Sequence, residues 1–208
     1  MTDAPAATGV PPDRTAPAAH PIAPLLASRW SPRSFLDREV PEEMLRRLLE
    51  AARWAPSCYN AQPWHYVIAR RHREPEAFAA LLGCLSSGNR TWCARAPVLM
   101  ISVARMDFPQ NGSPNRHAWH DLGAASTLLA LEAAALGLQA HQMAGFDAAK
   151  ARAACAVPEG YEPVAAIALG HPGSPDALAE PYRTRETSPR IRRPIEEFGF
   201  LGRWGEAL

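Results

Sequence analysis

Pro97 to Ala104 reads Pro-Val-Leu-Met-Ile-Ser-Val-Ala, a nearly unbroken apolar run. A strand with one wet face alternates apolar with polar residues. A strand that does not alternate has both faces covered. Any fold for this chain must therefore put a layer on each side of a sheet. Val164 to Leu169 is a second run of the same kind. Trp64 to Ala69 and Leu138 to Met143 read as shorter strands, the latter broken by Gly145.

The covering layers are legible as helices. Pro41 to Ala55 has Pro41 suited to a first turn, and Glu42 and Glu43 to complement the dipole. Met44, Leu45, Leu48, Leu49 and Ala52 fall on one face, and Pro56 stops the helix. Glu74 to Leu82 predicts a short helix and Ser86 to Thr91 a loop. His117 to Leu136 predicts a long helix ended by Gly137. Its most apolar part, Leu122 to Leu138, contains Glu132 and is shorter than the roughly 20 residues a bilayer demands, so it reads as a buried helix. Asp147 caps a further helix through about Cys155. Helix and strand alternate, which predicts α/β or α+β with a covered sheet.

Outside that core, residues 1–21 are rich in Ala, Pro and Thr and predict a disordered tail. Residues 105–116 form a polar linker. After Gly170 the chain is loop-like, then basic at Arg190, Arg192 and Arg193, and Ile195 to Trp204 is an amphipathic arm. Residues 22–204 read as one domain with this arm, and 205–208 as the end. There is no internal repeat, no GxGxxG and no Walker A sequence, so a Rossmann dinucleotide site is not indicated.

Lys+Arg 22 against Asp+Glu 21 leaves +1, which argues against nucleic acid as a partner. Lys150 is the only lysine, so arginine clusters are the places to look for bound phosphate or carboxylate. Cys58, Cys84, Cys93 and Cys155 form no CxxC pair, which predicts reduced thiols without zinc or disulfides. With no basic start and no apolar stretch at the N-terminus, a cytoplasmic protein without membrane contact is expected. His117 and His120 stand at i and i+3, but no third ligand is visible, so they read as helix surface and no metal is expected. The six tryptophans read as core or interface packing before stacking on a ligand.

Three short patterns carry chemistry. Arg29, Ser31 and Arg33 alternate, and in an extended segment they share a face that suits an anion. Pro56-Ser57-Cys58-Tyr59-Asn60-Ala61-Gln62-Pro63-Trp64 offers amide donors and acceptors two residues apart, enough to read the edge of a heterocycle. Arg190-Ile191-Arg192-Arg193 repeats the alternate-arginine pattern. Taken singly, each is equally a solvated strand edge, a self-satisfied turn and a solvated tail.

Together and in this order they resemble the FMN-dependent nitroreductase family. The likeness runs from Arg29-Trp30-Ser31-Pro32-Arg33-Ser34-Phe35 through Ala55-Pro56-Ser57 and Asn60-Ala61-Gln62-Pro63-Trp64. It continues through Asn89 ahead of Ala96-Pro97, Ala134-Ala135-Leu136-Gly137-Leu138, Gly145-Phe146-Asp147, Ala168-Leu169-Gly170-His171 and Pro194-Ile195-Glu196-Glu197-Phe198. The resemblance implies an α+β fold, a central, mostly antiparallel sheet flanked by helices, and an intertwined homodimer with FMN at the interface.

By that resemblance Arg29, Ser31 and Arg33 contact the flavin's phosphate and pyrimidine edge. Pro56, Ser57, Asn60 and Gln62 approach from the partner subunit, and Asn89 meets the flavin edge. Ala144 and Gly145 present backbone to the reactive N5, and Arg190 and Arg192 clamp the phosphate. The implied reaction is ping-pong: hydride passes from NADH or NADPH through flavin N5 to a nitroaromatic, quinone or similar electron-poor acceptor. Arg33, or Arg29 in its place, would stabilise negative charge near N1. Other flavin chemistry on the same fold (reductive dehalogenation, enone reduction, flavin destruction) and a non-catalytic flavin-binding protein remain alternatives. Residues 105–116 are shorter than the helical excursion of several family members, which implies a more open pocket.

Overall fold

The computed structural model describes residues 10–208. Four strands form one sheet: β1 (Trp64–Arg70), β2 (Val98–Arg105), β3 (Gln139–Met143) and β4 (Tyr161–Gly170), in the order β1-β2-β4-β3. Every neighbouring pair is antiparallel. Both central strands, β2 and β4, carry the apolar runs, as full coverage requires. Leu99, Ile101 and Val103 of β2 point to one core cluster, while Val98 and Met100 point to another.

Two helices cover the second cluster. α2 (Glu42–Arg53) buries Leu45, Leu48 and Ala52. α5 (Ala118–Ala135) buries Ala118, Leu122, Ala125, Leu129, Ala130 and Ala133, a largely small-residue stripe that lets its backbone lie close to the sheet. Gly137 at φ 73° ends α5. The Gly137 N–H donates to Ala134 O at 3.1 Å and the Leu138 N–H to Ala133 O at 2.8 Å, a full Schellman motif that turns the chain straight into β3. The other face is covered by α3 (Pro75–Cys84), α4 (Ser87–Cys93) and α6 (Ala148–Ala154), with Phe78, Leu81, Trp92 and Ala151 in its core. Asp147 caps α6 as expected, accepting from Lys150 N at 2.9 Å.

Several local expectations change. Residues 86–91 are expected as a loop, but they open α4. Gly88, Asn89 and Thr91 are poor helix formers, and tertiary contacts override them: Trp92 and Cys93 are buried, and the Tyr182 hydroxyl donates to Gly88 O at 2.8 Å. Two further short helices form: α1 (Pro24–Ser28), where no element is expected, and α7 (Tyr182–Thr187), in the stretch expected to be loop-like. β4 begins earlier than its apolar run because Pro163 sits beside a register shift at Ser102/Val103, where its missing N–H is tolerated. Residues 105–116 form a tight hairpin, with Asp107 bridged to Pro114 and Asn115 N donating to Met106 O at 2.8 Å.

The tail expected to be disordered over 1–21 lies partly outside the described residues. Residues 10–21 have no helix or strand, yet Ala16 N donates to Ala27 O at 2.9 Å, and the Arg14 guanidinium lies over the Trp30 ring.

The segment Arg29–Phe35 is fixed from both sides. Trp30 N donates to Gln139 Oε1 at 3.0 Å, and His141 Nδ1 donates to Pro32 O at 2.8 Å, both from β3. Ser34 Oγ donates to Ser174 O at 2.6 Å, and Phe35 bridges to Pro172. Glu186 of α7, 1% exposed, accepts from Arg33 N at 2.9 and 3.0 Å and from Ser34 N at 3.0 Å. Arg33 Nη1 lies 3.7 Å from the same carboxylate.

These contacts can be tested by substitution. Glu186→Ala leaves two buried N–H groups without an acceptor and Arg33 without its partner. Thermal melts are expected to show a loss on the order of 3 kcal/mol, partly recovered by Glu186→Gln, which keeps one acceptor oxygen. His141 packs against Trp92 with ring centroids 4.7 Å apart, and burial pushes its pKa down to about 4, with Arg33 adding to the shift against the opposing Pro32 hydrogen bond. Its unfolded pKa is near 6.5, so its contribution is complete above that value and lost as pH falls towards 4, reaching about 3 kcal/mol. The urea midpoint of the parent should fall over this window more steeply than that of His141→Phe.

Candidate functional site

The pinned segment places Arg29, Ser31 and Arg33 on the wall of a single cavity of about 150 Å³. Arg190 and Arg192 line the same cavity, so two sequence patterns more than 150 residues apart converge as expected. Trp30 is buried and forms part of the wall, as do Arg14, Arg185 and Glu186. Six guanidiniums thus surround one carboxylate. Burial and the neighbouring Arg192 hold the Arg29 guanidinium below its ordinary pKa. Burial lowers Arg190 in the same way, with Arg29, Arg192 and Arg14 adding repulsion.

Their free valences differ. The Arg29 guanidinium has no hydrogen-bond or ion-pair partner among the described residues. Arg190 is engaged: it donates to Arg14 O, to Ala27 O at 3.0 Å and to Arg29 O at 3.0 Å. It ties three chain segments together while adding charge to the cavity. Arg192 is exposed and donates only to the adjacent Ile191 O at 2.8 Å. Arg14 Nε is buried without an acceptor. A small polar cavity with surplus positive charge and an orphaned donor fits a phosphate monoester. Sequence reading missed Arg14, Arg185 and Glu186. Arg14 lies in a stretch too poor in apolar residues to suggest order, and the other two lie in an irregular region with no periodic signal.

The sheet edge β3 leads from this cavity to a second group. Trp30 faces Gln139 and Pro32 faces His141, so the pinned segment runs alongside β3 towards Gly145. There Asn89 Nδ2 donates to Gly145 O at 3.0 Å, and Ser86 N donates to it at 2.9 Å. A Cβ on Gly145 would stand 2.5 Å from Asn89 Nδ2, so the close approach requires glycine. The Gly145 N–H has no acceptor among the described residues, and Ala144 is exposed. From His141 to Gly145 the chain spans at most about 14 Å.

Pro56, Ser57, Asn60 and Gln62 lie elsewhere. Trp64, at the start of β1, pairs with Ala104, at the far end of the sheet from the Gly170↔Gln139 pair. The two sites are separated by about 25 Å along the strands and three strand spacings, about 14 Å, across them. One chain does not bring them together. The loop itself is strained: Tyr59 (φ 49°), Asn60 (φ 52°) and Gln62 (φ 47°) all adopt the left-handed region. It is held from behind, where Asp121 Oδ2 accepts from Cys58 N at 2.9 Å and Ser57 Oγ from Gln62 N at 3.1 Å. Asn60 and Gln62 remain exposed. Tyr59, 82% exposed, meets Phe108 of the 105–116 hairpin edge to face at 5.9 Å.

His120 is exposed and pairs with Asp121, its Nδ1 3.0 Å from Oδ1. Among the described residues no group of three or more His, Cys, Asp or Glu side chains is placed to hold a metal, and no helix is long and apolar enough to cross a membrane.

Comparison with known proteins agrees with this architecture. The model of the Nitroreductase family matches residues 26–91 and 80–171. A solved structure described as "the oxidoreductase containing FMN" superposes with a TM-score of 0.87 at 31% identity, covering 95% of this chain and 100% of that one. An NADH dehydrogenase of Thermus thermophilus is 30% identical over 177 residues, 69% of this chain and 83% of its own length. The "uncharacterized 15.4 kDa protein in ask 5′region" of Mycolicibacterium smegmatis is 38% identical over 133 residues, 64% of this chain and 88% of its own. With its antiparallel sheet, its two helical layers and a family match across most of its length, the chain belongs to the nitroreductase family.

Proposed function

We propose that the protein is an FMN-dependent oxidoreductase, active as a homodimer, that takes electrons from NADH or NADPH and reduces a nitroaromatic, quinone or similar electron-poor acceptor. The observation that carries this reading is the arginine-walled cavity, joined along β3 to the unengaged Gly145 N–H. FMN, when bound, supplies hydride transfer from the nicotinamide donor to the acceptor.

The chain's own groups hold and tune it. Arg29 and Ser31 bind the phosphate with side-chain donors that no other described group occupies, and Arg192 with those left beyond its bond to Ile191 O. Arg190 contributes charge and keeps the wall in place. Arg33 lies further along β3 towards Gly145 than Arg29 does, which supports a role for it at the pyrimidine edge near N1 and O2. Glu186 fixes the Arg33 backbone so that its guanidinium keeps one orientation. Gly145 N–H and Asn89 orient the reactive end of the ring. Pro56, Ser57, Asn60 and Gln62 reach the ring from the second copy, because their own copy holds them at the far end of its sheet. A dimer is also the natural cover for Trp54, Ile191, Phe198, Leu201 and Trp204, which are 57–90% exposed in the single chain.

The purified protein is expected to be yellow, to release FMN on denaturation and to sediment at twice the chain mass. Anaerobic NADH or NADPH should bleach the flavin, and a nitroaromatic should restore its colour. Flavin that neither nicotinamide bleaches would overturn the reaction. Arg29→Ala and Arg192→Ala should each weaken FMN about 10- to 100-fold and leave riboflavin little changed, since the lost contact is a charge-assisted bond of about 1.5–3 kcal/mol to phosphate. Redox titration should find the flavin potential lowered in Arg33→Ala; an unchanged potential would remove Arg33 from the pyrimidine edge.

A further inference from the structure

The family match begins at residue 26, yet the chain before it lies against the cavity. Residues 10–23 have no helix or strand before Pro24. They are held by two backbone ties: Ala16 N donates to Ala27 O at 2.9 Å, and Arg14 O accepts from Arg190. Between these ties the Arg14 side chain turns inward. Its guanidinium carbon stands 5.6 Å from the Trp30 ring centroid, and the chain places it on the cavity wall beside Arg29, Arg33 and Glu186. Its Nε is buried and has no acceptor.

A guanidinium nitrogen removed from water and given no partner is unfavourable unless a ligand accepts from it. The carboxylate on the cavity wall, Glu186, already accepts three backbone hydrogen bonds and faces Arg33. The other charged residues on the wall, Arg29, Arg33, Arg185, Arg190 and Arg192, are all cationic. No group among the described residues is placed to accept from Arg14 Nε. An anion with several acceptor oxygens can.

We infer that residues 10–23 are a strap that closes the phosphate site, and that Arg14 is a phosphate ligand supplied from outside the family's matched core. The assignment rests on the FMN reading above and adds a residue to it. It also gives Arg190 a second role. Its donors hold the strap at Arg14 and the 27–29 turn at Ala27 and Arg29, so that three basic side chains face one point.

The test uses the full chain, titrated with FMN and with riboflavin by fluorescence quenching. Arg14→Met keeps an unbranched apolar stem over Trp30 and removes the charge. It should weaken FMN about tenfold or more and leave riboflavin within twofold of the parent. Arg14→Lys should recover part of the loss. Trypsin cleavage between Arg14 and Thr15 in the parent provides a second readout: FMN should slow it, and riboflavin should not. Unchanged FMN affinity in Arg14→Met, equal weakening of both ligands, or cleavage indifferent to FMN would each overturn the strap. A parent chain that takes up no FMN would instead overturn the cofactor reading on which it stands.

Discussion

A single buried carboxylate organises the site. Glu186 is the one negative charge in a cavity walled by six arginines, and both its oxygens accept from backbone N–H groups. Burial pushes its pKa up, while those N–H donors and the Arg33 charge pull it down. The geometry favours the charged form, since two N–H groups converge on the carboxylate and a guanidinium stands at 3.7 Å. Through it the turn at Arg33–Ser34 is locked to α7, and the register of Arg29, Ser31 and Arg33 against β3 follows. One carboxylate cannot neutralise six cations. The balance of the cavity is left to whatever anion enters it.

That imbalance links binding to folding. Repulsion among Arg14, Arg29, Arg190 and Arg192 opposes the packing of the basic 190–193 segment against the strap and the 29–35 stretch, which lie more than 150 residues earlier. A bound phosphate removes the repulsion and stabilises the native state by mass action. The carbonyls at Arg14, Ala27 and Arg29 that accept from Arg190 hold the arrangement meanwhile, because charge-assisted bonds to backbone are among the stronger ones. The site is thus preorganised by hydrogen bonds and left electrostatically incomplete.

Much of this was legible in the chain. The unalternating runs at 98–104 and 164–169 demanded a sheet covered twice, and Gly137 marked the turn from the long helix into β3. The arginines at 29, 33, 190 and 192, which spacing alone left as a strand edge and a tail, line one cavity. What was hidden depended on partners far along the chain. α4 forms despite Gly88 and Asn89 because Trp92 and Tyr182 hold it, and no local propensity reports a tertiary contact. Arg14 sits in a stretch whose composition suggests disorder, and its placement depends on Arg190, 176 residues later. Glu186 is one acidic residue among many until the fold buries it. Arg190, expected as a phosphate clamp, also ties backbone at Arg14, Ala27 and Arg29, which only hydrogen-bond geometry reveals.

The sheet also sets the scale of the proposed assembly. Its first and last strands hold the strained 56–62 loop and the arginine cavity at diagonally opposite corners, farther apart than one mononucleotide spans. The left-handed residues at 59, 60 and 62 would relax if the loop were free to move, so their persistence reflects the grip of Asp121 and Ser57 from behind. A loop held rigid with its amides exposed, far from the cavity of its own copy, suits the proposed second copy. Placed against a second copy it supplies the polar edge that the β3 side of the cofactor site lacks. Strain in one subunit and unsatisfied charge in the other are then complementary halves of the same two-fold arrangement, and this is the physical reason for expecting two sites per dimer and none per monomer.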